Sequence, residues 1–398
     1  MPRVNPEILV WARETAGLPL DEAVKKLVIR DTKKATALDR LAGYESGDEE
    51  PSRPLLQKMA KQYHRPLLTF YLSQPPVKGD RGADFRTLPT EAHSPATDAT
   101  LDALIRDIRA RQSMVRAILE DEEESPSLPF VGSRTMADGQ AAALTSLGTL
   151  LRVRLEEYRS QPNSEAAFNL LRARAEREGI FVMLKGDLGS YHSAIEPEVF
   201  RGFSIADDIA PFIAINDRDA RATWPFTLLH ETVHLLLGQT GVSGQQSENE
   251  TERFCDDVAS EFLLPRQDSA SLDLKGLKEI DEIAERLSAF AAKRNISRTM
   301  VAYRALRDGS VKPSQYKELS DRFREEWLRQ RASQRAQRQP QEGGPDYYVV
   351  RRHRLGPRLV SLVRRMTAGR ELSTTKAARI LGVRPAQVQA ILAGSGPS

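Results

Sequence analysis

Two histidines four residues apart, His230 and His234, enclose Glu231 in the apolar run FTLLHETVHLLLG (residues 226–238). Residues four apart share one face of a helix, so both imidazoles can reach a single metal ion. Glu231 then stands beside it to handle the protons of an attacking water. The chain has only six histidines in 398 residues, so this spacing is not cheaply obtained by chance. A metal that activates water takes a third protein donor and keeps one position open. The stretch TERFCDDVASEFLLP (residues 251–265), read as a helix over about 249–264, supplies carboxylates for that purpose. At about 100° per residue, Cys255, Val258, Ala259 and Phe262 form its apolar stripe. Glu252 and Asp256 lie along one flank of the stripe, whereas Glu250, Asp257 and Glu261 point away. Glu252 is the expected third ligand, with Glu248 its rival if the helix begins early. Asp256, one turn after Glu252, is placed to hydrogen-bond a ligating histidine. Two imidazoles and a carboxylate suit zinc better than magnesium or calcium. Cys255, on the apolar stripe, reads as a small buried hydrophobe rather than a redox sensor.

These groups need a scaffold, and the pattern around them is mixed. Short β-rich pieces, GIFVML, EVFRGFSI and PFIAIN, lie between residues 179 and 216, bounded by Gly, Asp and Pro. Helical periodicity runs over about 221–238, 249–264 and 274–291, and upstream over 98–124, 138–158 and 164–178. Residues 5–75 read as four short helices punctuated by Gly17, Gly47, Pro51 and Pro54, as in a helix-turn-helix module. PPVKGDRGADFRTLPTEAHSP is an extended connector, and QRASQRAQRQPQEGGP a flexible link before two short helices around Gly382. The expected fold is mainly α with an α+β centre. Its parts are an N-terminal helical module (1–75), linker and helix (76–130), a central domain with a small sheet (131–310), charged helix and linker (311–346) and a small helical C-terminal domain (347–398).

Composition narrows the function classes. With 40% apolar and 28% charged residues the chain can bury several cores. One cysteine excludes an internal disulfide framework, and no apolar run is long enough to cross a bilayer. No secretory signal is read at the N-terminus, so the cytoplasm is the expected address and no membrane partner is expected. A formal charge of +3 does not by itself imply nucleic acid. Arginines are concentrated between 322 and 370, including Arg329, Arg331, Arg335 and Arg338, then Arg351, Arg352, Arg354 and Arg358. That stretch is a candidate for phosphate contact, the alternative being a solvated helix and linker.

The central part resembles the ImmA/IrrE family of metallopeptidases in the succession FRGFSIADDIAPFIAIND, FTLLHETVHLLLG and ETERFCDDVASEFLLP. The last segment departs from the family pattern at Cys255, Asp256 and Val258. The resemblance implies a zincin-like domain with His230, His234 and Glu252 as zinc ligands and Glu231 as the catalytic glutamate. It implies a protein substrate, a repressor or antitoxin-like regulator, cut in a stress or phage-related response. By likeness to zincins, the strand Pro211 to Asn216 is expected at the sheet edge, pairing with an extended peptide. The N-terminal segments NPEILVWARETAGLPLDEAVKKL and LAGYESGDEEPSRPLLQKMAKQYHRPLLTFYL resemble the Cro/repressor-type helix-turn-helix. Duplex DNA is thus a second expected partner, through this module or the arginine-rich tail. Its reading region DRLAGYESGDEE is acidic, and residues 1–75 hold 12 Lys or Arg against 10 Asp or Glu, so phosphate attraction there is modest. The alternative reading of the whole is a DNA-binding regulator or antitoxin whose metal domain is a sensor or scaffold.

Overall fold

The structure, a computed structural model, describes residues 3–76, 83–84, 94–121, 126–189, 193–243, 250–277, 279–337 and 346–394. The chain divides into two units: Met1–Arg81, Leu88–Asp107 and Asp187–Ile195 form one, and Gly82–Thr87, Ile108–Gly186 and Glu196–Ser398 the other. The whole is mainly helical with one small sheet. Among the described residues, no helix is long and apolar enough to cross a membrane.

In the first unit, helices Pro6–Thr15, Leu20–Leu27, Ala37–Ser46 and Arg53–Gln62 are followed by a 3-10 turn at Leu67–Tyr71. Local chemistry sets their ends. The Asn5 side chain caps the first helix, and Thr36 and Asp39 form a reciprocal capping box on the third. Gly47 then ends the third helix at φ 85°, a conformation that costs glycine nothing. Ile8, Leu9, Ala12, Leu41, Leu56, Met59 and Phe70 fill the centre. Arg13 donates through Nε to Glu45 Oε1 at 2.7 Å and through Nη2 to Oε2 at 3.0 Å, a bidentate pair that ties the first helix to the third.

The second unit is built on strands β1 (Ala83–Asp84), β2 (Phe181–Leu184), β3 (Gly202–Ile205), β4 (Phe212–Ile215) and β5 (Gly241–Ser243) in the order β1-β5-β3-β4-β2. β2 runs parallel to β4, β3 antiparallel to both β4 and β5, and β1 parallel to β5. Val182, Leu184, Ile213 and Ile215 join the core of Leu228, Leu229 and Val233. On the same strands Phe181 stacks on Phe212, 4.8 Å between centroids. Four consecutive buried residues in β4 reflect a strand covered on both faces.

Two expectations are corrected here. The strand Pro211–Asn216 is not an edge: β4 lies between β2 and β3 and is hydrogen-bonded to both. Its unbroken apolar run is the reason, since an edge strand that must stay open to water seldom carries one. At the β2 edge, Arg172 Nη2 donates to Val182 O at 2.5 Å, and a Cβ on Gly356 would come within 2.6 Å of that same oxygen. The helix expected over 138–158 is two, Gln140–Leu151 and Leu155–Arg159, broken where Arg152 turns left-handed at φ 51°. β1, β5 and the helix Arg298–Arg307 lie outside the expected elements.

The helices Tyr347–Leu355, Pro357–Ala368, Thr374–Leu381 and Val388–Leu392 belong to this same unit. Much of the arginine run is occupied in holding them. Arg351 Nη2 donates to Leu381 O and Gly382 O at 3.0 and 2.7 Å, and Arg352 Nη1 to Ala390 O at 3.1 Å. Arg358 Nη1 reaches Glu176 O at 2.9 Å, and Arg354 pairs with Asp217 at 2.5 Å. Upstream, Arg331 pairs with Glu196 at 3.4 Å and Arg329 with Glu325 at 3.7 Å, while Arg338 lies outside the described residues.

Candidate active site

The helix Trp224–Leu236 begins with Pro225 in its first turn and is buried on every side, as its all-round apolar sequence requires. Phe168 meets Trp224 edge-on at 5.4 Å at its start. Gly238, at φ 67°, follows its last turn. Such a helix holds its polar residues under tight constraint, because each must find a partner inside the protein. His230 and His234 lie one turn apart with their Nε2 atoms 3.1 Å from each other. The helix Glu250–Leu263 brings Glu252 to them, Oε1 to His234 Nε2 at 2.8 Å and Oε2 to His230 Nε2 at 3.2 Å. All three side chains are buried, and one donor atom from each lies within 4.8 Å of the other two.

This arrangement fits a tetrahedral zinc. Bonds of about 2.0–2.1 Å at tetrahedral angles set neighbouring donors roughly 3.3 Å apart, close to the separations here. The donor chemistry fits too, since each ring presents Nε2 to the common point. On the far side of its ring, His230 Nδ1 hydrogen-bonds Asp256 Oδ1 at 2.8 Å. The electrostatics agree with a cationic centre. Burial opposes charge on Glu252, yet the two imidazoles outweigh it and hold its pKa down at about 2. Burial likewise opposes charge on His230, but Glu252 and Asp256 raise its pKa well above the ordinary value.

Glu231 is fully buried and points toward β3, where a Cβ on Gly202 would stand 2.7 Å from Glu231 Oε1 and 2.7 Å from Thr227 Cγ2. Gly202 is thus the glycine whose missing side chain makes room for the glutamate. Gly202→Ala is expected to keep the metal but displace Glu231, with about 1–3 kcal/mol of destabilisation from overpacking. Thermal melting and metal analysis check this, and an unchanged melting temperature would show that the strand yields freely.

A pocket of about 60 Å³, room for a few waters, opens beside His230 and Glu231 and is lined also by Arg201, Phe226, Asp256, Tyr303 and Tyr316. A second of about 360 Å³ shares Arg201, Thr223, Ser297 and Thr299 with it and is bounded by Phe323, Arg324 and Trp327 of the helix Pro313–Gln337. Sequence patterning missed most of this wall. Asp257, expected to point away, is buried: it accepts from Arg307 Nε at 2.9 Å and Nη2 at 2.5 Å, from Tyr303 Oη at 3.0 Å and from Gln140 at 3.0 Å. Burial, then Asp256 and Asp257, push the Tyr303 hydroxyl upward, so it stays protonated. Cys255 is buried with its pKa raised, by burial first and then by Glu252, as an inert thiol would be. Glu248 lies outside the described residues.

Asp256→Ala is expected to lower metal affinity about 10–100-fold while leaving the fold intact, because the carboxylate orients His230 without touching the ion. Competition with a chromophoric chelator measures it. Equal affinity in the variant would mean that packing alone orients the ring.

No curated protein and no solved structure matches the chain. Residues 175–306, which hold β2 to β5, the His230–His234 helix and the helix of Glu252, match the peptidase family model described as the IrrE N-terminal-like domain, a match that supports kinship of this third of the chain with the ImmA/IrrE family.

Proposed function

We propose that the chain is a zinc-dependent endopeptidase acting on a regulatory protein of the repressor or antitoxin-like class, in a stress or phage-related response. The observation that carries this reading is the convergence of His230, His234 and Glu252 at about 3 Å from one another, beside buried Glu231 at a pocket wall. His230, His234 and Glu252 would hold the ion. Bound there, zinc supplies Lewis-acid polarisation of the peptide carbonyl and of the attacking water.

The chain's own residues do the rest. Glu231 takes a proton from the water as its oxygen bonds to the carbonyl carbon, and returns the proton to the nitrogen as the C–N bond breaks. Asp256 accepts from His230 Nδ1–H, which leaves Nε2 as the donor to the ion. Tyr303 and Arg307, fixed together on Asp257, hold the helix Arg298–Arg307 as a wall of the pocket. The regulatory substrate rests on the family resemblance and on the repressor-like pattern of the N-terminal segments.

The test is cleavage of candidate repressor proteins, followed by mass spectrometry, with and without a chelator. Cleavage that disappears with chelator and returns with zinc supports the reading. A second reading, a DNA-binding regulator or antitoxin with a metal sensor or scaffold, is favoured by the small volume beside Glu231. Metal-dependent function without any cleaved product would select it.

A further inference from the structure

The charge of the chain is very unevenly placed. Residues 347–398 carry ten Lys or Arg against one acid, Glu371, a formal +9. The rest of the chain, with 48 against 54, is −6. The structural duties of the arginines in this segment cancel only part of that charge: Arg354 pairs with Asp217, but Arg351, Arg352 and Arg364 donate to neutral backbone carbonyls. Arg370, Lys376, Arg379 and Arg384 are exposed and have no ion-pair partner among the described residues.

Three of those four lie on a helix-turn-helix. Ser373 caps the helix Thr374–Leu381 by accepting from Lys376 N, and Gly382 ends it in the left-handed conformation at φ 61°. A 3-10 turn, Pro385–Gln387, leads into Val388–Leu392. Ala377, Ala378, Leu381, Val388, Ile391 and Leu392 bury the inner faces. Lys376 and Arg379, three residues apart, share the outer face of the first helix. Arg384 sits at the entry to the second. The exposed residues that follow are Pro385, Ala386 and Gln389, small or uncharged, so none of these three repels a phosphate backbone at close approach.

We infer that this C-terminal module is a docking surface for duplex DNA, with residues 385–392 turned to the major groove and Lys376, Arg379 and Arg384 on flanking phosphates. Regular phosphate spacing suits cations fixed on two short rigid helices, and a protein partner would want apolar anchors, which this face lacks. The inference is independent of the peptidase reading, since none of these residues lines either pocket beside Glu231.

Fluorescence anisotropy of the full chain with a labelled mixed-sequence duplex of about 30 base pairs, about three turns, tests it. Binding is expected at low salt, with log affinity falling linearly against log salt. Combined Lys376→Ala, Arg379→Ala and Arg384→Ala should cost at least about tenfold in affinity and reduce the salt slope by about 3, near 0.9 per phosphate contact. The charge-keeping set Lys376→Arg, Arg379→Lys and Arg384→Lys should restore both, which separates charge from any local unfolding. Lys33→Ala with Lys34→Ala, in the N-terminal module, should change neither. No duplex binding at low salt, an unaltered slope in the triple alanine variant, or tighter binding to single-stranded RNA or anionic phospholipid vesicles than to duplex would overturn the assignment.

Discussion

Glu231→Gln is expected to bind about one zinc per chain, melt with the wild type, and hydrolyse its protein substrate about 10²- to 10⁴-fold more slowly, the usual contribution of a positioned acid or base. The size of the effect follows from where the side chain sits. Glu231 is fully buried on a helix with no slack, and Gly202 leaves it a space that glutamine, of the same shape, also fills. The substitution therefore removes proton transfer and little else. Neither carboxylate oxygen contributes to the cluster formed by His230, His234 and Glu252, so the ion should stay. Single-turnover cleavage, zinc analysis and calorimetry on the same preparation separate the possibilities. A variant that cleaves at the wild-type rate would assign the proton to another group, and one that has lost zinc would make Glu231 a ligand.

The candidate site was legible in the sequence because its spacing obeys local rules. The four-residue spacing of His230 and His234 and the flank shared by Glu252 and Asp256 are properties of single helices, and the structure brings these four side chains together. What surrounds them obeys no local rule. Asp257 does face away from the apolar stripe, but that direction leads to Arg307 and Tyr303, about fifty residues later, and to Gln140, over a hundred earlier. Periodicity reports which way a side chain points and not what lies there. The helix Arg298–Arg307 escaped for a related reason: Arg304 is buried in it and pairs with Glu261, so a charged residue occupies a core position. β1 and β5, two and three residues long, are too short to show alternation. The edge position expected for β4 came from the likeness to zincins, whereas its own unbroken apolar run fits the interior place between β2 and β3.

Glu252→Ala should produce the other large effect, and of a different kind. Among the described residues it removes the one carboxylate that touches both imidazoles, at 2.8 and 3.2 Å, and all three side chains are buried. Apparent zinc binding at four-ligand protein sites is about 10–16 kcal/mol, so one donor is worth on the order of 3 kcal/mol and its loss roughly 10²- to 10³-fold in affinity. Hydrolysis should fall to background at zinc concentrations that saturate the wild type. Stability should follow the metal. A ligand that binds only the folded state at about 100 times its Kd adds about 2.7 kcal/mol, some 5–10 °C in a domain of this size. Wild type and Glu231→Gln should show that rise on adding zinc, and Glu252→Ala should show little of it at the same concentration. Calorimetry with and without chelator reads the difference directly. A zinc-dependent rise in Glu252→Ala equal to that of the wild type, with one zinc still bound per chain, would mean that a different carboxylate completes the centre.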